Sequence, residues 1–465
     1  MQDKNFGKAK NMKILLVNPY IYDFTAYDLW LRPLGLLYIA AVLKKYTLSE
    51  LFWLDVLDRF QENAAPPGDS SLKQSKASGR GKYHREPVEK PLIYQNTPRR
   101  YARYGIPFET FLAKIDNIPA VDMILVTSLM TYWVDGVKIT VDTLRKKFPA
   151  AKIVIGGILP TLVPAAQLKN SLDADYFVSG YGEEKILKII EAHHGSVYPH
   201  PALSEVHNLP YPAVEFLSNQ KALPLLTSKG CPYRCTYCAS GILNKKFQER
   251  SSGEILEEIY SMHHTFGAEH FVIFDDALLI NKSQRFFRVF NKIKAELNVS
   301  FHTPNGLHAG EIDKETAEIL FASGFKTLRL SFESTRSEIL SKSCDKVTVR
   351  EMERAVENLE TAGYRRKDIG VYLLFGLPGQ RLADIEEALQ FVKGLGVIPH
   401  LAYFSPVPGT IDFLNLQKAG ILSTPANLYE TNKIYFLYNK SDFSHEDIRY
   451  VKEKASKIVS QIKKC

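Results

Sequence analysis

The sequence predicts an α/β protein of two domains, a doubly wound, Rossmann-like sheet followed by a partial (β/α)6 barrel. The chain has 465 residues, more than one ordinary hydrophobic core accommodates. Short apolar runs alternate with amphipathic stretches along most of this length, as parallel strands alternate with helices. Glycine, proline and polar residues follow many of the apolar runs, at the strand ends where ligands bind in both kinds of sheet.

The first domain is expected over residues 1–195. Its first strand is a short apolar run that stops at Asn18-Pro19, as a buried parallel strand does. Helices are predicted at 33–43, 137–148 and from Glu183 to about His193. The predicted strands are 12–18, 51–55, 121–127, 152–155 and 175–178.

An insertion of about residues 60–116 separates the second and third strands. It opens with the run 64–70, rich in proline, glycine and serine, and this half is predicted to be a mobile loop. Residues 79–104 are basic and aromatic. They either grip phosphate or carboxylate groups or fold over the domain with their charges in solvent.

A proline-containing linker is predicted at 196–220, and the barrel at 221–415. Residues 416–465 are expected to be helical. The predicted barrel strands are 223–227, 270–274, 299–302, 326–332, 369–374 and 400–404. Ligands of such a barrel bind at the carboxyl ends of its strands.

Composition excludes several classes of protein. Hydrophobic residues at 45% and charged residues at 24% rule out wholesale disorder. The net charge of +8 favours a solvated basic surface over a nucleic-acid partner. No signal peptide or membrane span is recognisable, so a cytoplasmic location is expected.

The five cysteines are distributed unevenly. Cys231, Cys235 and Cys238 fall on one predicted loop, where three soft thiolates can bind three corners of an iron-sulfur cube. A structural zinc site normally has four protein ligands, whereas three leave one iron open. Cys344 and Cys465 stand alone and are interpreted as a buried thiol and a terminal bystander.

The spacing CxxxCxxC, with aromatic Tyr237 before the third cysteine, resembles the signature of the radical S-adenosylmethionine (SAM) superfamily, whose barrel fold also matches the prediction. The resemblance implies a 4Fe-4S cluster on the three cysteines, with SAM chelating the open iron. It implies that reductive cleavage of SAM gives a 5′-deoxyadenosyl radical. It further implies an external one-electron reductant such as flavodoxin or ferredoxin.

The resemblance also implies which later residues contact SAM. Together with Tyr237 they follow the barrel strands: Asp275, Asp276, Asn305, Glu333, Ser334, Gly376, Pro378 and Gly379. Other interpretations stay open, because aspartates at strand ends also cap turns and glycines also form plain tight turns. A buried glutamate such as Glu333 could instead pair with a neighbouring arginine such as Arg329.

The first domain resembles the cobalamin-binding domain that precedes the barrel in one branch of this superfamily. The matching pieces are Asn18-Pro19, the run 32–36, Ile155-Gly156-Gly157 and the run 180–184. The resemblance implies cobalamin contacts at Thr127, Ser128, Gly156 and Gly157, which otherwise are ordinary turn residues. The Asp-x-His-x-x-Gly motif is absent, so cobalamin would bind without a protein nitrogen on cobalt.

The sequence therefore predicts a cobalamin-dependent radical SAM enzyme, a C-methyltransferase, whose small-molecule or peptide substrate it does not identify. Two alternatives remain. One keeps the radical chemistry but gives oxidation, cyclisation or rearrangement without methyl transfer. The other is a non-enzymatic iron-sulfur or nucleic-acid-binding protein.

Overall fold

The computed structural model describes residues 11–67, 69, 78–336 and 347–464. The chain forms two compact units, the first from Met1–Lys90 with Arg99–Gln220, the second from Pro91–Pro98 with Lys221–Cys465. Cys344, Cys465 and residues 68 and 70–77 of the predicted mobile loop lie outside the described residues.

The first unit is built on a parallel five-stranded sheet in the order β3-β1-β6-β7-β8. Counted along the chain this order is 2-1-3-4-5, a doubly wound arrangement with its switch point between β1 and β6. Their central residues are buried on both faces, as parallel strands require. The strands of this unit are β1 Lys13–Asn18, β2 Ile21–Asp23, β3 Glu50–Asp55, β4 Arg85–Pro87, β5 Ala102–Tyr104, β6 Met123–Val126, β7 Lys152–Ile155 and β8 Tyr176–Phe177.

Helices cover the sheet, and apolar side chains from them and from the strands form one core. The helices of the first unit are Leu34–Tyr46, Phe108–Asp116, Val134–Lys147, Ile158–Leu162, Ala165–Leu168 and Glu183–Ala192. Within the described ranges of the whole chain, no helix has both the length and the apolar character needed to cross a lipid bilayer.

Most of the basic, aromatic half of the insertion, apart from Pro91–Pro98, is part of this folded unit. β4 and β2 both pair with β5 in a small antiparallel sheet. Tyr101 and Tyr104 are buried, and Arg103 pairs with Glu86 while stacking on Phe108. These contacts match the interpretation in which the insertion folds over the domain, although its charges pair as well as face solvent.

The second unit contains the barrel. Six parallel strands follow the order β17-β16-β15-β13-β12-β9, and β14 adds to β15. β10 and β11 form an antiparallel pair next to the barrel mouth. The strands of this unit are β9 Ala222–Leu225, β10 Ser228–Lys229, β11 Gln248–Glu249, β12 His270–Ile273, β13 Ser300–His302, β14 Leu307–His308, β15 Phe325–Ser331, β16 Ile369–Phe375 and β17 Ile398–Tyr403.

The barrel helices carry clear start signals. Helices Ser252–Phe266 and Val349–Thr361 each begin with a capping box, formed by Ser251 with Glu254 and by Thr348 with Glu351, which satisfies otherwise unpaired N–H groups. The helices of this unit are Ser240–Leu243, Ser252–Phe266, Phe286–Glu296, Lys314–Ala322, Val349–Thr361, Leu382–Gly394, Ile411–Lys418, Lys433–Asn439 and His445–Lys464.

The predicted fold class is confirmed, and most strand boundaries agree within two residues. The first barrel strand ends at Leu225, two residues before the predicted end at Thr227, and the cause is clear. The N–H of Thr227 donates to the Asp275 carboxylate at 2.7 Å and therefore does not continue the strand ladder.

Asp55, at the carboxyl end of β3, gives a pH-dependent prediction for the first unit. Burial raises its pKa to about 7, Asp58 adds to this, and hydrogen bonds from Asn18 and Leu57 oppose it. Because the folded pKa lies above the unfolded value, this group's stability contribution is complete below the unfolded pKa. It is lost as pH rises through 7.

We therefore expect the free energy of unfolding of Asp55→Asn to exceed that of wild type by roughly 2–4 kcal/mol at pH 8, and to differ little from it near pH 4. Urea unfolding at the two pH values measures this difference. Asp116→Asn, at a carboxylate with 66% side-chain exposure, is the control and should show no such change with pH. An Asp55→Asn effect equal at both pH values contradicts the prediction.

Candidate active site

A cavity of about 390 Å³ opens at the carboxyl ends of the barrel strands. Its wall combines the cysteine loop with residues that follow β12, β13, β15 and β17. The lining residues include Cys231, Tyr233, Cys235, Tyr237, Cys238, Ser240, Asp276, Asn305, Gly306, Ser331, Glu333 and Thr410. The topology thus brings sequence-distant polar residues to the three cysteines, as strand-end sites do.

The cysteine loop is shaped by local hydrogen bonds. Gly230, before the first cysteine, has a φ of +88°, and a Cβ there would lie 2.7 Å from the Lys246 carbonyl oxygen. Only glycine fits this close approach. The Cys238 N–H donates to the Cys235 carbonyl at 3.1 Å, and the Ser240 N–H donates to Cys238 Sγ at 3.4 Å.

Asp412 anchors the middle of this loop, a role that the sequence analysis missed. Its N–H donates to the Thr236 carbonyl at 3.1 Å, and its carboxylate accepts from the Thr236 hydroxyl at 3.1 Å. Asp412 lies in the first turn of helix Ile411–Lys418, behind the N-cap Thr410. The residues after Pro408-Gly409 predict the start of this helix, but they do not predict the contact between Asp412 and Thr236.

The donor set fits an iron-sulfur cube. Three thiols line one open cavity, and soft thiolates are the usual ligands of iron-sulfur clusters. Within the part of the chain that the structure describes, no group of three His, Cys, Asp or Glu side chains converges as ligands of one metal ion. A cube takes each cysteine to a different iron and does not require such convergence.

The partly buried Tyr237 and the buried Glu333 form a hydrogen-bonded pair in the cavity wall. The Tyr237 hydroxyl donates to Glu333 Oε1 at 2.8 Å, and Glu333 is 9% exposed. Burial, then the charge of Glu333, raises the pKa of Tyr237 far above its ordinary value, so the phenol stays protonated and keeps donating. Arg329, the alternative partner for Glu333, donates to the Leu328 carbonyl and interacts with Tyr372.

The two predicted aspartates have different environments. Asp276 is exposed in the cavity and accepts from the Ser240 hydroxyl at 2.5 Å. Asp275 is buried and accepts from the Thr227 N–H and from the hydroxyls of Thr227 and Ser228. The SAM contact at Asp275 stays a prediction; in the structure its carboxylate joins two strand ends and is not among the described residues that line the cavity.

Asn305 and Gly306 follow β13 and line the cavity. The Asn305 amide donates to the carbonyls of Phe274 and Asp275, at 3.1 and 3.2 Å. A Cβ on Gly306 would lie 2.1 Å from the Ser331 hydroxyl oxygen. Glycine therefore allows the loop after β13 to pack against the end of β15.

Besides Asp275, four more predicted SAM residues are not among the described residues that line this cavity. Ser334 is buried, and its hydroxyl accepts from the Arg336 N–H. The Gly376 N–H donates to Gln380 Oε1 at 2.8 Å, and the Gly379 N–H to Asp442 at 3.1 Å. Pro378 lies between these glycines, so this segment has the tight-turn geometry that the sequence analysis gave as the alternative.

The predicted cobalamin residues meet at the carboxyl ends of β6 and β7. Thr127 continues from β6, its N–H donating to the Val17 carbonyl. The Ser128 hydroxyl donates to the Gly156 carbonyl and accepts from the Leu159 N–H. A Cβ on Gly157 would lie 2.4 Å from the Ser128 carbonyl oxygen, whereas one on Gly156 meets no atom within 4 Å. Gly156 therefore leaves open space at the carboxyl end of β7.

Two family profiles match the chain. The profile of the radical SAM superfamily matches residues 225–392, and that of the B12 binding domain matches residues 97–190. The first match covers most of the barrel, and the second covers β6 to β8, with the predicted cobalamin residues.

Curated relatives and solved structures agree with these matches. The cytidylyl-2-hydroxyethylphosphonate methyltransferase of Streptomyces wedmorensis is 22% identical over 487 residues, covering 90% of this chain and 84% of the relative. An uncharacterized methyltransferase of Pyrococcus horikoshii is 23% identical over 314 residues, 59% of this chain and 67% of that protein.

Among solved structures, the radical SAM methyltransferase TsrM from Kitasatospora setae, with cobalamin and a 4Fe-4S cluster bound, superposes with a TM-score of 0.65. It is 15% identical, and the match covers 96% of this chain and 91% of TsrM. At that identity the likeness shows the fold. The two domain matches lead to one assignment: the chain is an enzyme that combines a radical SAM domain with a B12 binding domain, and its cofactors are a 4Fe-4S cluster, SAM and cobalamin.

Proposed function

We propose that the protein is a cobalamin-dependent methyltransferase that acts on an unactivated carbon of a small molecule or peptide. The observation that carries this proposal is one cavity with three thiols and two carboxylates, Glu333 and Asp276, in a chain that also contains a B12 binding domain. The named relatives support it, since several are methyltransferases.

Different residues of the cavity hold the cluster and SAM. When bound, the cluster and SAM supply a 5′-deoxyadenosyl radical, and cobalamin supplies the methyl group. Cys231, Cys235 and Cys238 hold the cluster. Glu333, oriented by Tyr237, and Asp276, oriented by Ser240, offer two carboxylates to the cationic and hydroxyl groups of SAM.

Three measurements on one anaerobically reconstituted preparation test the proposal. We expect 5′-deoxyadenosine after dithionite reduction, bound cobalamin in the purified protein, and transfer of a labelled methyl group from SAM. Formation of 5′-deoxyadenosine without cobalamin and without methyl transfer contradicts the methyltransferase. The absence of 5′-deoxyadenosine contradicts the radical chemistry itself.

The Tyr237–Glu333 pair gives a second test. We expect Glu333→Gln to raise the KM for SAM roughly 10- to 100-fold and Tyr237→Phe about tenfold, because a charge-assisted hydrogen bond is weakened or lost. Iron content should stay at the wild-type value. Tyr260→Phe is the matched control, since Tyr260 also donates to a glutamate, Glu296, at an exposed site.

A steady-state assay of SAM cleavage with parallel iron determination measures both parameters. If Tyr237→Phe and Tyr260→Phe change the KM equally, the pair has no special role in SAM binding. If iron is lost together with SAM affinity, the pair supports the cluster loop instead.

One observation favours a second candidate function, radical oxidation or cyclisation without methyl transfer. The anaerobic magnesium-protoporphyrin IX monomethyl ester cyclase of Synechocystis is 23% identical over 225 residues, which is 42% of this chain and 45% of that protein. Product mass separates the candidates, because methyl transfer adds a CH₂ unit to the substrate whereas cyclisation does not.

The electron for SAM cleavage is proposed to come from a flavodoxin or ferredoxin. The cysteine loop supports this, since Cys238 is exposed and exposed Arg234 lies between the ligands. A basic side chain there favours an acidic partner protein. Reduction by flavodoxin should therefore weaken with added salt, whereas reduction by dithionite should not show the same loss.

A further inference from the structure

The inner face of the barrel strands is polar directly below the cavity. Ser331 and Glu333 both line the cavity, so the alternation of side chains along β15 turns Arg329 and Thr327 to the same face. Ser331 pairs in register with Tyr372 of β16, and Tyr372 with His400 of β17. We call the space bounded by Arg329, Thr327, Tyr372, His400 and His302 the barrel lumen.

The side of this lumen that carries Arg329, Tyr372 and His400 is partly exposed, unlike the outer face of the same strands, whereas Thr327 and His302 are buried. Leu328, Leu330 and Leu373 point outward and are at most 1% exposed. Arg329, Tyr372 and His400 point inward and are each partly exposed. Barrel interiors are usually filled by bulky branched side chains, whereas the inward side chains here are polar and can hydrogen-bond a ligand.

Gly370 makes room for the guanidinium of Arg329. A Cβ at this position would lie 2.5 Å from Arg329 Nη1 and 2.9 Å from His400 Cδ2. Gly370 is paired with Arg329 in the ladder, and its φ is not in the left-handed region that favours glycine. Glycine is therefore needed here because it has no side chain to clash with the guanidinium, and not because of its backbone conformation.

Tyr372 contacts both Arg329 and the loop that follows β13 at the mouth of the barrel. Its hydroxyl donates to the Pro304 carbonyl at 2.9 Å, next to the cavity residue Asn305. The Arg329 guanidinium interacts with the Tyr372 phenol, and its charge opposes the rise in the pKa of Tyr372 that burial causes. Tyr372 and His400 also have their ring centroids 6.0 Å apart.

A second polar layer continues on the other side of the lumen. His302 Nδ1 lies 3.0 Å from the Thr327 hydroxyl, and His302 Nε2 lies 3.1 Å from His270 Nδ1. Burial lowers the pKa of His270. Both ring nitrogens of the buried His302 are thus engaged within the protein, which fixes the orientation of this polar layer.

We propose that the barrel lumen binds the substrate through an anionic group, a carboxylate, phosphate or phosphonate, with Arg329 as its cationic partner and Tyr372 and His400 beside it. The planar guanidinium matches such oxyanions in a bidentate manner. This inference deepens the proposed function, on which it rests, because the substrate then lies under the cavity assigned to SAM.

Ligand-observed NMR with simple anions tests the proposal on the full, cluster-reconstituted chain. The probes are methylphosphonate and acetate, with dimethyl sulfone as the neutral comparison. We expect saturation transfer to at least one anion and none to the sulfone. Arg329→Gln should weaken anion binding at least about fivefold, and Arg329→Lys less, because lysine keeps the charge without the fork. Arg365→Gln, at an arginine with 71% side-chain exposure, is the control and should match wild type.

Gly370→Ala provides an independent variant, since the added methyl group occupies the space of the guanidinium and should weaken anion binding without removing a charge. Unfolding midpoints verify that each variant is folded. Absence of anion binding to wild type, or equal binding by Arg329→Gln and wild type, overturns the proposal. SAM cleavage is assayed on the same samples: cleavage without anion binding overturns only this inference, and anion binding without cleavage overturns only the proposed function.

Discussion

Replacing Cys235 by alanine is expected to leave a folded protein that does not form 5′-deoxyadenosine. Two thiols cannot hold three corners of a cube, so the cluster and the reductive cleavage of SAM are lost together. The expected fall in rate is about a thousandfold or more, down to the background of the assay. Iron and sulfide analysis with product quantification after dithionite reduction measures both losses.

Cys465→Ala is the control, because Cys465 lies outside the three-cysteine signature. It should retain wild-type iron content and SAM cleavage. A Cys235→Ala protein that binds four irons and cleaves SAM at more than a few per cent of the wild-type rate would rule out the assigned cluster ligands.

Replacing Asp275 by alanine is expected to have the largest effect on the stability of the second unit. The carboxylate accepts from the Thr227 N–H at 2.7 Å and from the hydroxyls of Thr227 and Ser228 at 2.6 and 2.5 Å. Its loss leaves three buried donors without this acceptor, at a cost of roughly 3–5 kcal/mol. The unfolding midpoint of the barrel should fall by about 10 °C.

The same change should also reduce cluster retention, because Thr227 and Ser228 lead through Gly230 to the first cysteine. Thermal unfolding and iron content of the reconstituted protein measure the two effects. Asp276→Asn is the matched control, since Asp276 is the neighbouring carboxylate but is exposed. It should unfold within about 1 °C of wild type. Equal midpoints for Asp275→Ala and Asp276→Asn would show that the Asp275 contacts carry no stability.

Local signals explain why the sequence predicts the fold well. Buried parallel strands need continuous apolar runs, and the helices between them need apolar stripes, so both patterns are visible without tertiary information. The CxxxCxxC loop is equally local, since its three ligands fall within eight residues. The capping boxes at Ser251 and Thr348 likewise depend on neighbours in sequence.

Local sequence patterns do not predict that adjacent residues make different contacts. Asp275 and Asp276 are identical in chemistry, and only the side to which each points determines that one joins strand ends and the other faces the cavity. The contact of Asp412 with Thr236 spans 176 residues. The pattern around Gly376 and Gly379 predicts glycines that let a ligand approach the backbone. In the structure their N–H groups donate to Gln380 and Asp442.

The sequence by itself determined the two α/β domains, the loop that groups three cysteines and the order of the strand-end loops, because each depends on spacing along the chain. Only the tertiary structure decided which strand-end residues meet, that Glu333 pairs with Tyr237, and that Arg329 lies over Gly370 in the barrel lumen. The physical reason is that closing a parallel barrel sets the register between strands, and register fixes which side chains share a face.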